Sequence, residues 1–214
     1  MSERLSLPLF PLGVVLFPDM PLPLHIFEER YKLMIGECIQ AEKPFGVVYY
    51  TGENFYRVGC TGMIRKVVET FDDGRMNILA EGVERFIIHQ IDSTRPYLLG
   101  QVEMADDVEE EHPAELKDLA AAAAALYKEI LPTPARDKRM ELVEQLTPKT
   151  LSFLIAASAG FSLNEKQAFL EMFSTAERLR KATSAMRRMS ERQRTTKEIE
   201  GIISGNGYIH NKPF

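Results

Sequence analysis

Five prolines (Pro8, Pro11, Pro18, Pro21 and Pro23) interrupt "LPLFPLGVVLFPDMPLPLHIFEERYKLMI", residues 7–35, one of the most apolar stretches of the 214-residue chain. Proline has no backbone N–H to give to a sheet ladder, so a strand holds it only at an edge, at its start or at a bulge. The same prolines break any continuous apolar h-region. Met1-Ser2-Glu3-Arg4 supplies no positive n-region, and no small-residue cleavage site follows. Leu, Val and Phe stand between the prolines and favour strands, which argues against a polyproline ligand. The stretch therefore reads as the first, edge-like strands of a β structure: "LSLPLF", "GVVLF" and "MPLPLHI".

The period then changes. Phe27, Tyr31, Met34, Ile35 and Cys38 form one apolar face of a helix over about Glu28 to Ala41, and Lys43-Pro44 ends it. Strands resume with "FGVVYYT" and "YRVGCTGMIRKVVETF". A hairpin turn at "DDGR" follows, with Asp73-Gly74 expected to take positive φ, and the chain returns through "MNILAEG". "VERFIIHQI" and, past Arg95-Pro96, "YLLGQVEM" complete seven or eight short strands, enough for a closed or nearly closed small barrel.

After the charged connector "ADDVEEEH" (105–112) the pattern is helical throughout. Pro113 opens a helix that "PTP" (132–134) breaks, a second runs through "RDKRMELVEQL", and Thr147-Pro148 starts a third that Gly160 terminates. Ser162 with Glu165 and Ser174 with Glu177 read as capping boxes, and a last helix spans about 175–200 before a tail. Charge follows the same division: 10 Lys+Arg against 18 Asp+Glu in residues 1–110, then 16 against 13 in 111–214. The fold class is α+β, a β-barrel with one inserted helix followed by a C-terminal α-helical bundle. The expected divisions are 1–110, 111–200 and a flexible tail at 201–214.

Catalytic and cofactor motifs are absent. His25, His89, His112 and His210 are scattered, and Cys38 and Cys60 suit buried free thiols rather than a disulfide or zinc site. There is no phosphate-binding glycine loop and no nucleophile elbow. Neither an enzyme activity nor a cofactor or metal is expected, and no apolar run is long enough for a membrane span. The chain is expected to be cytoplasmic. An acidic front half is a poor grip for a phosphate backbone. The basic residues of the last helix (Arg178, Arg180, Lys181, Arg187, Arg188, Arg192, Arg194, Lys197) offer either a solvated face or, as the alternative function, a surface for RNA. Leu179, Ala182, Met186 and Met189 make the apolar stripe opposite. Met20, Leu22, Phe27, Tyr31, Phe55 and Tyr56 are the candidate contacts for an apolar protein-binding surface. Barrel edges add the option of strand addition.

The order of these segments resembles the N-terminal domain family of Lon protease. The opening stretch is similar to that family's Leu-Pro-Leu-Phe-Pro-Leu strand, Phe-Pro-Gly turn and Ile-Phe-Glu-x-Arg-Tyr helix start. "YRVGCTGMIRKV", "DDGRMNILAEGVERFII" with its Gly-x-x-Arg-Phe, "RPYLLGQVE" and "LNEKQAFLEMFSTAERLRK" match further segments in order, over about residues 5–195. Asp19 stands where the family turn usually has glycine, so local adjustment is expected there. The resemblance implies a PUA-like barrel followed by helices. It also implies a stand-alone, non-catalytic module of the bacterial type that binds unfolded or specific protein and peptide segments, without Lon's ATPase and protease. Self-association is a further expected partnership; nucleic acid and membrane are not.

Overall fold

The computed structural model describes residues 4–130, 143–158 and 160–205. In chain order they form β1 (Leu5–Leu12), β2 (Pro21–Ile26), α1 (Glu29–Ala41), β3 (Phe45–Tyr49), β4 (Val58–Thr70), β5 (Met76–Asp92), β6 (Leu98–Ala105), α2 (Pro113–Ile130), α3 (Pro148–Ala156), α4 (Leu163–Leu170) and α5 (Thr175–Gly205). The result is mixed α+β, six strands in one sheet followed by four of the five helices. Of the helix expected through "RDKRMELVEQL" only residues 143–146 are described, and the "PTP" expected to break the helix before it lies outside the described residues.

Pairing follows the order β2-β5-β4-β3-β1-β6, and β5 also pairs with β6, so the ladders run from β5 through β4, β3, β1 and β6 back to β5. The prolines of β1 fit because its two ladders are staggered. Residues 5–9 pair with β6 and residues 9–12 pair in parallel with β3, overlapping only at Leu9. Pro8 therefore faces a partner on one side only, and so does Pro11 on the other. β1 is an interior strand whose prolines sit where one side has no ladder to break. Pro21 and Pro23 lie on β2, which pairs with β5 alone and is a true edge.

Three expectations are corrected. "GVVLF" is not a strand: residues 13–17 are irregular, because Leu16 and Phe17 are buried in two different cores and need no ladder to be apolar. "MNILAEG" and "VERFIIHQI" are one continuous strand, β5, in place of two. The "DDGR" turn puts only Gly74 at positive φ (+80°), with Gly74 N donating to Phe71 O (2.9 Å), a three-residue loop in which Asp73 stays in the ordinary region.

Asp19 takes φ +63°, the left-handed conformation that makes glycine usual at such a turn. The turn is docked by Asp19 N to Gly82 O and Gly82 N to Met20 O, both 2.9 Å. A Cβ on Gly82 would fall 2.1 Å from Phe17 O, so glycine is required where the turn crosses β5.

Side chains alternate along the strands into two clusters. Phe10, Ile26, Tyr31, Met34, Ile35, Phe45, Val47 and Ile78 pack between α1 and the sheet. Leu7, Leu9, Val48, Phe86, Ile88 and Val102 pack on the other side. A third cluster joins the helices through Phe153, Ile155, Phe169, Leu179 and Met186, and Phe17 inserts into it from the front half, 6.0 Å from the Phe153 ring. Burying one such phenylalanine contributes about 1.5–3 kcal/mol.

Helix ends follow their sequence signals in part. Thr147 caps α3 by accepting from Thr150 N, with Pro148 in the first turn, but α3 ends at Ala156, before Gly160. Ser162 and Glu165 complete a reciprocal capping box on α4. At α5 the box is half made. Ser174 Oγ accepts from Glu177 N (3.1 Å), while the Glu177 carboxylate pairs with Lys181 and Glu110 caps Ala176 N instead. α5 continues to Gly205, into the stretch expected to be tail.

Candidate functional site

The opening strand and α1 bound an open groove of about 610 Å3. Leu5, Ser6, Leu7 and Pro8 of β1 form one wall, and Glu37, Cys38 and Ala41 of α1 the other. Lys43-Pro44, leading into β3, and Arg95, Tyr97 and Leu99 around the start of β6 close the rest. The walls arise from local sequence. The α1 periodicity turns Met34, Ile35 and Cys38 onto the sheet, and a left-handed Glu42 (φ +52°) ends α1 just before Lys43-Pro44. Leu5 is 46% exposed although it lies on a paired strand, so the groove presents apolar surface to solvent.

A polar cluster sits among the lining residues. Tyr97 OH donates to Glu37 Oε2, and Arg95 Nη1 donates to the same oxygen (2.8 Å) and to the Tyr97 hydroxyl. The phenol's hydrogen bond, joined by Arg95, holds the Glu37 carboxyl below its usual value despite some desolvation. Burial, reinforced by Glu37, pushes the Tyr97 phenol up. Burial and then the Glu37 charge push the Cys38 thiol up to about 11, so it acts as a small apolar group and not as a nucleophile. Cys60, more deeply buried, is raised as well.

The six candidate contacts are not brought together, and none lines this groove. Tyr31 is core, 8% exposed and 4.2 Å from the Phe10 ring. Met20 and Leu22 are half-buried against the α1–sheet cluster. Phe55 is half-buried against the opposite cluster, and Tyr56 stacks on Tyr49 at 5.1 Å. Phe27 alone is widely exposed (60%), stacked on His25 at 5.9 Å. His25 Nδ1 is hydrogen-bonded to Asn77 Oδ1 (2.7 Å). Composition and spacing did not mark Leu5, Leu7, Cys38, Arg95 or Tyr97 as binding residues. The available signals were the opening stretch itself and the Arg-Pro-Tyr before the last strand.

The basic set on the last helix also changes. Arg178 is fully buried: Nε donates to Ser152 Oγ (2.8 Å), Nη1 to Met172 O (2.6 Å), and its other end to Asp107. Asp107 is shared with Arg85 of β5, whose Nη1 donates to Leu170 O (3.0 Å) and Met172 O (2.6 Å). Both guanidinium groups lie over Phe153, at 5.2 Å for Arg85 and 3.9 Å for Arg178. Arg180 pairs with Glu115, and Lys181 with Glu177. Leu179, Ala182 and Met186 form the buried stripe. No helix among the described residues is long and apolar enough to cross a membrane.

Residues 6–188 match the family model of the ATP-dependent protease La (LON) substrate-binding domain. Among curated proteins, a Lon protease of Roseiflexus castenholzii is 32% identical over 86% of this chain and 24% of its own length. One of Anaeromyxobacter dehalogenans is 29% identical over 93% and 25%. The chain thus spans about a quarter of the length of these relatives. In fold it is similar to the N-terminal domain of a Mycobacterium avium complex Lon protease (TM-score 0.69, 21% identity, 85% of this chain and 97% of that one). It is likewise similar to a Lon N-terminal domain protein from Xanthomonas campestris (TM-score 0.65, 23% identity, 84% and 98%). With the matched segment covering most of the chain, including every strand but the first residue of β1 and most of the described helical residues, the protein belongs to the LON substrate-binding domain family.

Proposed function

We propose that this chain is a non-catalytic binding module that takes up extended apolar segments of other polypeptides, and that the groove between β1 and α1 is where they bind. The observation that carries this is the groove: apolar walls with Leu5 exposed, in a family whose description is substrate binding. The circuit of ladders returning to β5 supports a barrel of the PUA-like type as the scaffold. Arg178 is buried, Arg180 and Lys181 are ion-paired within the chain, and the family match does not favour the RNA alternative.

Fluorescence anisotropy with a labelled, permanently unfolded model protein tests the proposal. Leu5→Asp should weaken binding about fivefold, the equivalent of about 1 kcal/mol of lost apolar contact. Phe27→Ala, run in parallel, leaves the affinity unchanged if the groove is the site. Loss confined to Phe27→Ala moves the contact to that aromatic, and no binding by the unaltered chain overturns the proposal.

A further inference from the structure

Three charged side chains line the groove, and among the described residues one of them, Lys43, has no ion-pair partner. Glu37 is satisfied by Tyr97 and Arg95, and Arg95 is in turn committed to Glu37. Lys43 has no ion-pair partner among the described residues; its backbone N–H donates to Cys38 O (3.0 Å) at the end of α1. The backbone of Lys43 is thus anchored at the helix end, and the residue lines the groove together with Ala41, Pro44 and Leu7. The lining carries two positive groups and one negative, a net charge of +1, and Glu42 beside Lys43 is not part of it.

We propose that the groove selects an apolar segment carrying one acidic side chain, Asp or Glu, whose carboxylate pairs with Lys43. This rests on the groove being the binding site and names the chemistry it prefers. An open groove passes a continuous chain rather than ending on a terminus, so the carboxylate is a side chain and not the α-carboxylate. Exposed ion pairs are weak and screened by salt, so the preference is modest and belongs to specificity more than to affinity.

Four labelled, leucine-rich peptides test this against the full chain at low salt. Three are amidated at the C-terminus and carry Glu, Gln or Lys at the central position; the fourth carries Gln with a free carboxylate. The Glu peptide should bind about threefold to fivefold tighter than the amidated Gln peptide, with the Lys peptide weakest. The free terminus should give no gain. Lys43 is exposed, so Lys43→Gln should fold normally, and it should bring the Glu and Gln peptides to the same affinity. Equal affinities for Glu and Gln in the unaltered chain overturn the acidic preference while leaving the groove as the site. A preference that survives Lys43→Gln overturns the role of Lys43, and a gain from the free terminus overturns the side-chain assignment. Failure of every peptide to bind overturns the groove itself.

Discussion

Replacing Asp107 with alanine removes one carboxylate and strands two arginines. The Arg85 side chain is 1% exposed, that of Arg178 0% and that of Asp107 8%, so water cannot take over the lost interactions. Arg178 keeps Ser152 Oγ and Met172 O, and Arg85 keeps Leu170 O and Met172 O, but among the described residues no carboxylate remains in direct contact with either. Removing one member of a buried ion pair costs about 3–5 kcal/mol, a large share of the roughly 5–15 kcal/mol that holds a domain folded. With a urea slope of about 2 kcal/mol/M, the unfolding midpoint should fall by roughly 1.5–2.5 M. Asp106→Ala is the matched control: its neighbouring carboxylate pairs with Lys149 at an exposed site and should cost less than about 1 kcal/mol. Urea titrations followed by far-UV circular dichroism compare the two. If Asp107→Ala loses no more than Asp106→Ala, the cluster is not what fastens β5 to the helices.

The same cluster sets a pH dependence. Burial raises the Asp107 carboxyl, but hydrogen bonds from Arg178 and Thr175 and the charges of both arginines outweigh it and hold it below its usual value. Its stabilisation is therefore complete above about pH 4 and fades as pH falls through the lower, folded value, so the midpoint gap between the parent and Asp107→Asn should narrow below about pH 4. Gly82→Ala should cost about 1–3 kcal/mol in the same urea assay, because the new methyl meets the Phe17 carbonyl oxygen. At Asp19, where φ is +63°, glycine should be neutral or stabilising by up to about 1 kcal/mol. Both substitutions lose the hydrogen bond from Thr150, but alanine gains no relief of the left-handed backbone and should destabilise by about 1 kcal/mol. With the Cys38 thiol held near 11, native chain at pH 8 should react with a thiol reagent at well under a tenth of the rate of the urea-unfolded chain, which absorbance timing reads directly.

Local patterns carried much of the architecture. The helix expected over Glu28 to Ala41 is observed at Glu29–Ala41, because Tyr31, Met34, Ile35 and Cys38 at helical spacing act within one element, while Phe27, expected on the same face, lies before the helix and is exposed. The Ser162 box formed for the same reason. What escaped depends on partners distant in sequence. Phe17 looked like strand because it is apolar, yet its apolarity serves a socket of helical residues more than 100 positions away. Gly82 looked like a strand boundary but marks a backbone crossing inside β5. Arg178 looked like surface because nothing near it announces Asp107, 71 positions earlier. The groove was missed likewise: β1, α1 and β6 each contribute a few ordinary residues, and only their pairing order brings Leu5, Glu37 and Tyr97 together.

The staggered pairing of β1 also bears on how the chain comes off the ribosome. Its parallel partner β3 is complete at residue 49, but the antiparallel partner β6 is not made until residues 98–105, and the Phe153 that Phe17 packs against comes later still. Throughout that interval residues 5–9 carry an unpaired, leucine-rich edge, and Phe17 has no helical socket. A nascent chain halted before residue 98 should therefore be sticky, and one released after residue 186 should not. Residues 5–17 are thus made well before the partners that seal them.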